Sequence, residues 1–242
     1  MDFDRAHILS RSRLLLGDEG MQRMESARVI IFGVGGVGSW CAESLVRSGI
    51  KHLTIVDSDR VCESNINRQL PATTLTIGEV KVDALKARLF SIMPNADIIA
   101  VADRFTAENA NSFNLNSYDY IIDAIDSLKD KASLILLATR TKARFFSSMG
   151  AALKIDPTKI RVTEFWKVSG CPLARALRQR FKRAKEFPAR KFLCVYSDEL
   201  LKNRETGIEE QANGSLMHIT ATYGMMLSGL VIRDIYSTEG NK

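Results

Sequence analysis

Between Arg28 and Asp57 the chain runs from a short apolar stretch, RVIIF, through a glycine turn, GVGGVGS, into a helical stretch, WCAESLVRSG, and a second apolar stretch, HLTIVD. That order is a βαβ unit, and it limits the fold more than any other part of the chain. Gly33, Gly35 and Gly38 satisfy G-x-G-x-x-G where a strand hands over to a helix, so backbone amides and a helix N-terminus converge on one point. Asp57 ends the second apolar stretch 19 residues after Gly38, where a carboxylate can accept both hydroxyls of a ribose. A turn that needed glycine only for its backbone angles would have no use for that acid. A nucleotide is expected at this turn.

Further apolar runs, DIIAVAD from Asp97, YDYIIDAID from Tyr118 and ARFFSS, alternate with helical stretches around Val80 to Ile92 and Lys129 to Thr141. Alternation without tight hairpin signals predicts an α/β fold, a mainly parallel sheet covered by helices on both faces. After Gly150 the alternation weakens. DPTKIRVTEF reads as a turn and strand, a basic helix starts near Leu173, a polar loop spans Asn203 to Ser215, and Ile219 to Ile232 reads as a buried helix. No linker, repeat or low-complexity tract marks a boundary. A single domain is expected, with an N-terminal arm and nucleotide-binding core over 1–150 and a substrate-facing extension over 151–242. At 45 % hydrophobic and 26 % charged residues, the chain can bury a core, which excludes disorder and fibrous repeats.

His218, Arg233 and Asp234 bracket the last apolar stretch too tightly for the ~20 residues that a bilayer needs. The N-terminus lacks the unbroken apolar core of a secretory signal. The expected setting is cytoplasmic, without membrane contact. Cys41, Cys62, Cys171 and Cys194 form no C-x-x-C pair, so neither zinc nor a disulfide framework is expected. Cys41 and Cys62 read as small buried packing residues. His7, His52 and His218 are too scattered for a triad or a metal.

The segment after Asp57 narrows the nucleotide. DSDRVCESNINRQL and IGEVKVDAL supply Asn65, Arg68, Gln69 and Lys81 as donors, and two of these are cations suited to a triphosphate. A dinucleotide pyrophosphate is usually held by the turn amides alone, which leaves an NAD oxidoreductase as a weaker reading. Asp123 and Asp126 close the YDYIIDAID strand at the sheet edge where ligands bind, and carboxylates there can hold Mg²⁺ against phosphates.

The series GVGGVGS, IVDSD, NINRQ, GEVK and DAID resembles the ATP-binding series of the ubiquitin-activating superfamily, to which ThiF and MoeB types belong. The resemblance implies a Rossmann-like domain that activates a carboxylate with ATP. It assigns Gly33, Gly35, Gly36 and Gly38 to phosphate approach, Asp57 to the ribose, and Asp59 and Gln69 to the nucleotide site. Asn65, Arg68 and Lys81 go to the phosphates and Asp126 to magnesium. It also implies a homodimer in which Arg13, in SRLLLG, reaches the partner's ATP. The missing C-x-x-C pairs, with KIDPTKIRVTEF, CVYSDE and ITATYG, resemble one branch in particular, the tRNA threonylcarbamoyladenosine dehydratases. That branch implies cyclisation of the N6-threonylcarbamoyl group on an adenosine beside a tRNA anticodon. It also allows a monovalent cation and a sulfur-transfer protein partner. The alternatives are adenylation of the C-terminal glycine of a ubiquitin-like sulfur carrier and, in another class, a nucleotide-sensing RNA-binding module without catalysis.

Charge points the same way. The chain carries a net +6, yet Leu173 to Lys191 holds eight cations against Glu186 alone, which leaves −1 for the rest. On a helix, Leu173, Leu177, Phe181 and Ala184 share one face and Arg175, Arg178, Lys182 and Lys185 the opposite one. A basic stripe docked by its apolar face is expected to meet tRNA phosphates.

Overall fold

The computed structural model describes residues 5–205 and 212–237, so the middle of the expected loop from Asn203 to Ser215 lies outside the described residues. The run at Arg28 becomes β1 (Arg28–Phe32), buried from its second residue onward. It pairs in parallel with β2 (His52–Val56) on one side and β4 (Tyr120–Asp123) on the other. Outward from these, β3 (Asp97–Val101) joins β2, β5 (Arg144–Ser148) joins β4, and β7 (Leu193–Ser197) joins β5, all parallel. An antiparallel strand, β6 (Ile160–Glu164), closes the far edge, giving the order β3-β2-β1-β4-β5-β7-β6.

Period-two alternation decides what covers each face. Val29 and Ile31 of β1 face a core shared with α3 (Gly38–Arg47), α4 (Lys81–Ile92) and α7 (Met217–Ser237). Ile30 and Phe32 face the opposite core, built with α5 (Leu128–Ala138) and α6 (Pro172–Ala184). Ahead of β1 stand α1 (Arg5–Ile8) and α2 (Ser10–Ser26), the latter kinked at Gly17. The doubly covered, mainly parallel α/β sheet is the expected one. β7 is an addition. CVYSDE supplies a strand between β5 and β6, so the extension continues the sheet of the core.

The extension also returns to the glycine turn. A side chain at Gly224 in α7 would place its Cβ 2.5 Å from the Val37 carbonyl and 2.9 Å from the Cys41 nitrogen, so only glycine lets α7 lie this close to α3. One turn on, the Ser228 hydroxyl donates to Ser44 Oγ at 2.7 Å.

Glu43 ties α3 to α4. Its buried carboxylate accepts from Arg88 Nε at 2.6 Å and Arg47 Nε at 2.8 Å. Burial alone would raise its pKa, but the hydrogen bonds and charges of Arg88 and Arg47 outweigh that and hold it below the usual range. A depressed folded pKa adds stability that is fully present above the unfolded value of about 4.3 and is lost as pH falls through the folded one. Glu43→Gln is expected to cost about 1 kcal/mol at pH 7, since both guanidiniums are half exposed, and less at pH 3. Urea unfolding at the two pH values checks this, and an equal loss at both would contradict the linkage.

Candidate functional site

Strand order reverses between β1 and β4, which opens a crevice beyond their carboxyl ends. A cleft of about 720 Å³ lies there, within the range of small-molecule sites. Gly33, Gly35 and Gly36 form its floor. Gly33 has φ +84°, and a Cβ on it would sit 2.7 Å from the Ala124 carbonyl oxygen. A Cβ on Gly38 would lie 1.9 Å from the Gly33 carbonyl oxygen, inside any permitted contact. Both positions demand glycine.

Asp57 braces this turn from the next strand. Its Oδ2 accepts the Val34 N–H at 2.8 Å and its Oδ1 the Asp59 N–H at 2.9 Å. Two carboxylate oxygens still have lone pairs for a ribose. Lys81 opens α4 because its own N–H donates to the Asp59 carbonyl at 2.9 Å, beside a bridge between Arg60 and Val80. Its ammonium, only 4 % exposed, stands 3.0 Å from Asp59 Oδ2 and 3.7 Å from Asp57 Oδ1. Asp57, Asp59 and Lys81 form one charged wall of the cleft.

Arg68 and Gln69 line the cleft beside the glycine turn. The Arg68 guanidinium donates to the Ser64 carbonyl at 2.7 Å and to Asn67 Oδ1 at 2.9 Å. Gln69 is buried, and its Oε1 has no hydrogen-bond partner among the described residues. Asn65 stands elsewhere. Its Oδ1 accepts the Cys62 N–H at 3.2 Å, shaping the turn, because a short amide reaches nearby backbone first.

The two strand-end aspartates separate. Asp126 is an exposed carboxylate on the cleft wall. Asp123 is fully buried, 2.8 Å from the equally buried Lys131 ammonium, and accepts from Ser147 Oγ at 2.6 Å. Arg13 lies outside the cleft on α2, paired with Asp18.

Arg104 is a cleft residue that sequence reasoning missed. It follows β3, and its Nε and Nη2 donate to Asp130 Oδ2 at 2.7 and 2.5 Å. A cation just past a strand exit on the ligand edge of an open sheet was the available signal. Thr220 on α7 and Ser215 just before that helix also line the cleft, and their distance in sequence from the glycine turn left no local signal.

The basic helix begins at the cleft, where Leu173 lines its mouth. Arg175 and Lys182 point to solvent, and Lys185 is an exposed left-handed cap at φ 56°. Arg178 departs from the expected stripe. It is half-buried and donates to the Phe165 and Val168 carbonyls at 3.2 and 2.8 Å. Those acceptors come from the segment before the helix, which the helical pattern cannot show. Ala184 is exposed instead of packed.

Cys62, expected inside, is exposed, whereas Cys41, Cys171 and Cys194 are buried. Burial pushes the Cys41 and Cys194 thiols up, away from thiolate chemistry. Among the described residues no three His, Cys, Asp or Glu side chains group as a metal site, and no helix is long and apolar enough to cross a membrane.

A model of the ThiF family matches residues 9–236. The chain belongs to the ThiF family. Among curated relatives, this ThiF-family chain is 36 % identical over 228 residues to the tRNA threonylcarbamoyladenosine dehydratase of Haemophilus influenzae, covering 88 % of this chain and 87 % of the relative. It is 34 % identical over 242 residues to the dehydratase of that name from Bacillus subtilis, covering 95 % and 94 %. The crystal structure of the Escherichia coli tRNA N6-threonylcarbamoyladenosine dehydratase, TcdA, in complex with ATP superposes with a TM-score of 0.89 at 31 % identity over the whole of both chains.

Proposed function

We propose that this ThiF-family enzyme uses ATP to dehydrate N6-threonylcarbamoyladenosine in tRNA to its cyclic form. The continuity of the cleft carries this reading. Its nucleotide half, built from the glycine turn, Asp57 and Lys81, runs into a second half lined by Ala151, Leu173 and Asn213, where the basic helix starts. Its relatives and its similarity to ATP-bound TcdA support the same reading.

A carboxylate is a poor electrophile because its oxygen leaves badly. Attack of the threonyl carboxylate on a phosphorus of ATP breaks a phosphoanhydride bond and forms a mixed anhydride. A carbamoyl nitrogen then attacks the activated carbonyl carbon. The phosphorylated oxygen leaves, the nitrogen loses its proton, and the net change is loss of water. Both reacting groups sit in one side chain, so closure is intramolecular and gains a high effective concentration. The turn amides and α3 N-terminus receive phosphate oxygens, and Asp57 faces the ribose. Lys81, with Arg68, offsets charge that grows on the phosphates.

Asp126 suits Mg²⁺, since that ion takes one or two carboxylates together with substrate phosphates rather than a full protein cage. When bound, it supplies further charge neutralisation at the phosphate oxygens. Arg175, Lys182 and Lys185 face tRNA phosphates. The enzyme acts as a homodimer in which Arg13 of the partner subunit completes the nucleotide site. Leu14 and Leu15, beside Arg13 and 88 % and 79 % exposed, support that, because a second copy would cover them. A tRNA substrate fits a cytoplasmic setting.

Nucleoside mass spectrometry after incubating protein, ATP and tRNA carrying the threonylcarbamoyl mark tests the reading. Loss of one water from that nucleoside is expected, and an unchanged nucleoside overturns the assignment. Lys81→Ala is expected to lower turnover by about 10²- to 10³-fold, as for loss of one preorganised charge-stabilising donor.

A further inference from the structure

Two large aromatic rings stand on the surface at the far end of the basic helix. Trp166 is 38 % exposed and Phe187 51 %, with ring centroids 6.2 Å apart. Trp166 is braced from within. It meets the fully buried Phe165 edge-on at 5.2 Å, and Phe165 stacks on Phe192 at 5.0 Å. Phe192 in turn packs against Phe145 of β5 at 5.0 Å. Arg178 pins the Phe165 carbonyl and lies over its ring at 6.0 Å. Trp166 is therefore seated on a packed aromatic cluster, and Phe187 meets it from the segment after α6.

Charge surrounds it. Lys167 follows Trp166, while Lys182, Arg183 and Lys185 precede Phe187, with Glu186 the one acid between them, and all five are exposed. An apolar protein face would have to desolvate these cations, whereas RNA matches both features at once, stacking bases on rings and setting phosphates against cations. From Leu173 at the cleft mouth to the end of α6 is about 17 Å at 1.5 Å per residue. A nucleotide near the reacting one can reach the rings while the reacting base enters the cleft.

We infer that Trp166 and Phe187 form a stacking platform for an unpaired base of the tRNA substrate. The inference rests on the tRNA reading above and adds the part of the RNA that is held. Trp166→Ala and Phe187→Ala are each expected to raise the KM for tRNA about ten-fold. Turnover at saturating tRNA and the KM for ATP stay unchanged, because neither ring touches the cleft. Trp166→Phe restores most of the affinity. The salt dependence of binding is unaltered in these variants, whereas Lys182→Ala or Lys185→Ala lowers its slope by about one.

Fluorescence supplies a second readout. Single-stranded oligouridylate is expected to quench tryptophan emission, and a blunt RNA duplex at equal phosphate concentration is not. Trp166→Phe removes the quench, which separates Trp166 from Trp40. Equal quenching by the duplex, or an unchanged tRNA KM in both alanine variants, overturns the platform. So does a change of oligomeric state in Trp166→Ala without a change in tRNA KM, which would make the rings a protein contact. Wild-type protein that quenches but leaves the nucleoside uncyclised sinks the dehydratase reading alone. Wild-type protein that cyclises the nucleoside while the alanine variants match it sinks the platform alone.

Discussion

Gly38→Ala is expected to abolish ATP binding. The added Cβ would lie 1.9 Å from the Gly33 carbonyl oxygen and 3.2 Å from Ile31 Cγ2, and the first of these is backbone that cannot rotate away. Relief requires α3 to move off β1 or the turn to open. Gly33 cannot yield, because its own position is fixed by φ +84° and by the Ala124 carbonyl behind it. Either movement misdirects the amides that receive phosphate, and a small displacement of a positioned group is enough to remove its effect. Gly35→Ala is the internal control. Its Cβ would meet Gln69 Nε2 at 3.6 Å, an ordinary contact, so the fold is undisturbed and binding weakens only as far as the methyl crowds the phosphates. Calorimetric titration with ATP, with circular dichroism to confirm folding, distinguishes the two. Gly38→Ala protein that binds ATP within ten-fold of the wild type would show that the turn tolerates what its geometry forbids.

The same turn was legible in the sequence because everything it needs is local. A strand, three spaced glycines, a helix and an acid 19 residues on leave little freedom, and β1, α3 and β2 formed where the pattern put them. Periodicity likewise exposed the remaining core strands, but it could not place β7, whose position between β5 and β6 depends on contacts from distant segments. Side-chain direction was less legible. Arg178 shares a helical face with Arg175 and Lys182, yet the Phe165 and Val168 carbonyls capture it. Asn65 reads as a donor in a phosphate-handling series, yet in the fold its Oδ1 accepts the Cys62 N–H, outside the residues that line the cleft. Arg104 sits in no motif, and Asp130 of α5 meets it at the cleft. What sequence hides is where long-range partners take a polar side chain.

Asp123 and Lys131 are the sharpest case of that, and Lys131→Met is expected to destabilise the protein by about 3–5 kcal/mol. Asp123 and Asp126 are equivalent in sequence, two acids at one strand end. In the fold Asp123 and Lys131 have no exposed side-chain surface, and Lys131 Nζ stands 2.8 Å from Asp123 Oδ2 and donates to the Ile125 carbonyl at 2.8 Å. Asp123 Oδ1 also accepts the Ile125 N–H at 3.1 Å. Between them these groups hold the segment that carries Asp126 and Ser127 against the cleft. Methionine fills a similar volume but leaves a buried carboxylate with Ser147 and one amide as its remaining donors, which is why the loss far exceeds one hydrogen bond. Adding Asp123→Asn removes the stranded charge, so the double variant is expected to recover most of the stability. Urea unfolding of the two single variants and the double one measures that coupling. Purely additive losses would mean that the pair does not act as a unit. A double variant that regains stability but has a raised KM for ATP would show a second role, with the buried charges fixing the loop from which Asp126 faces the nucleotide.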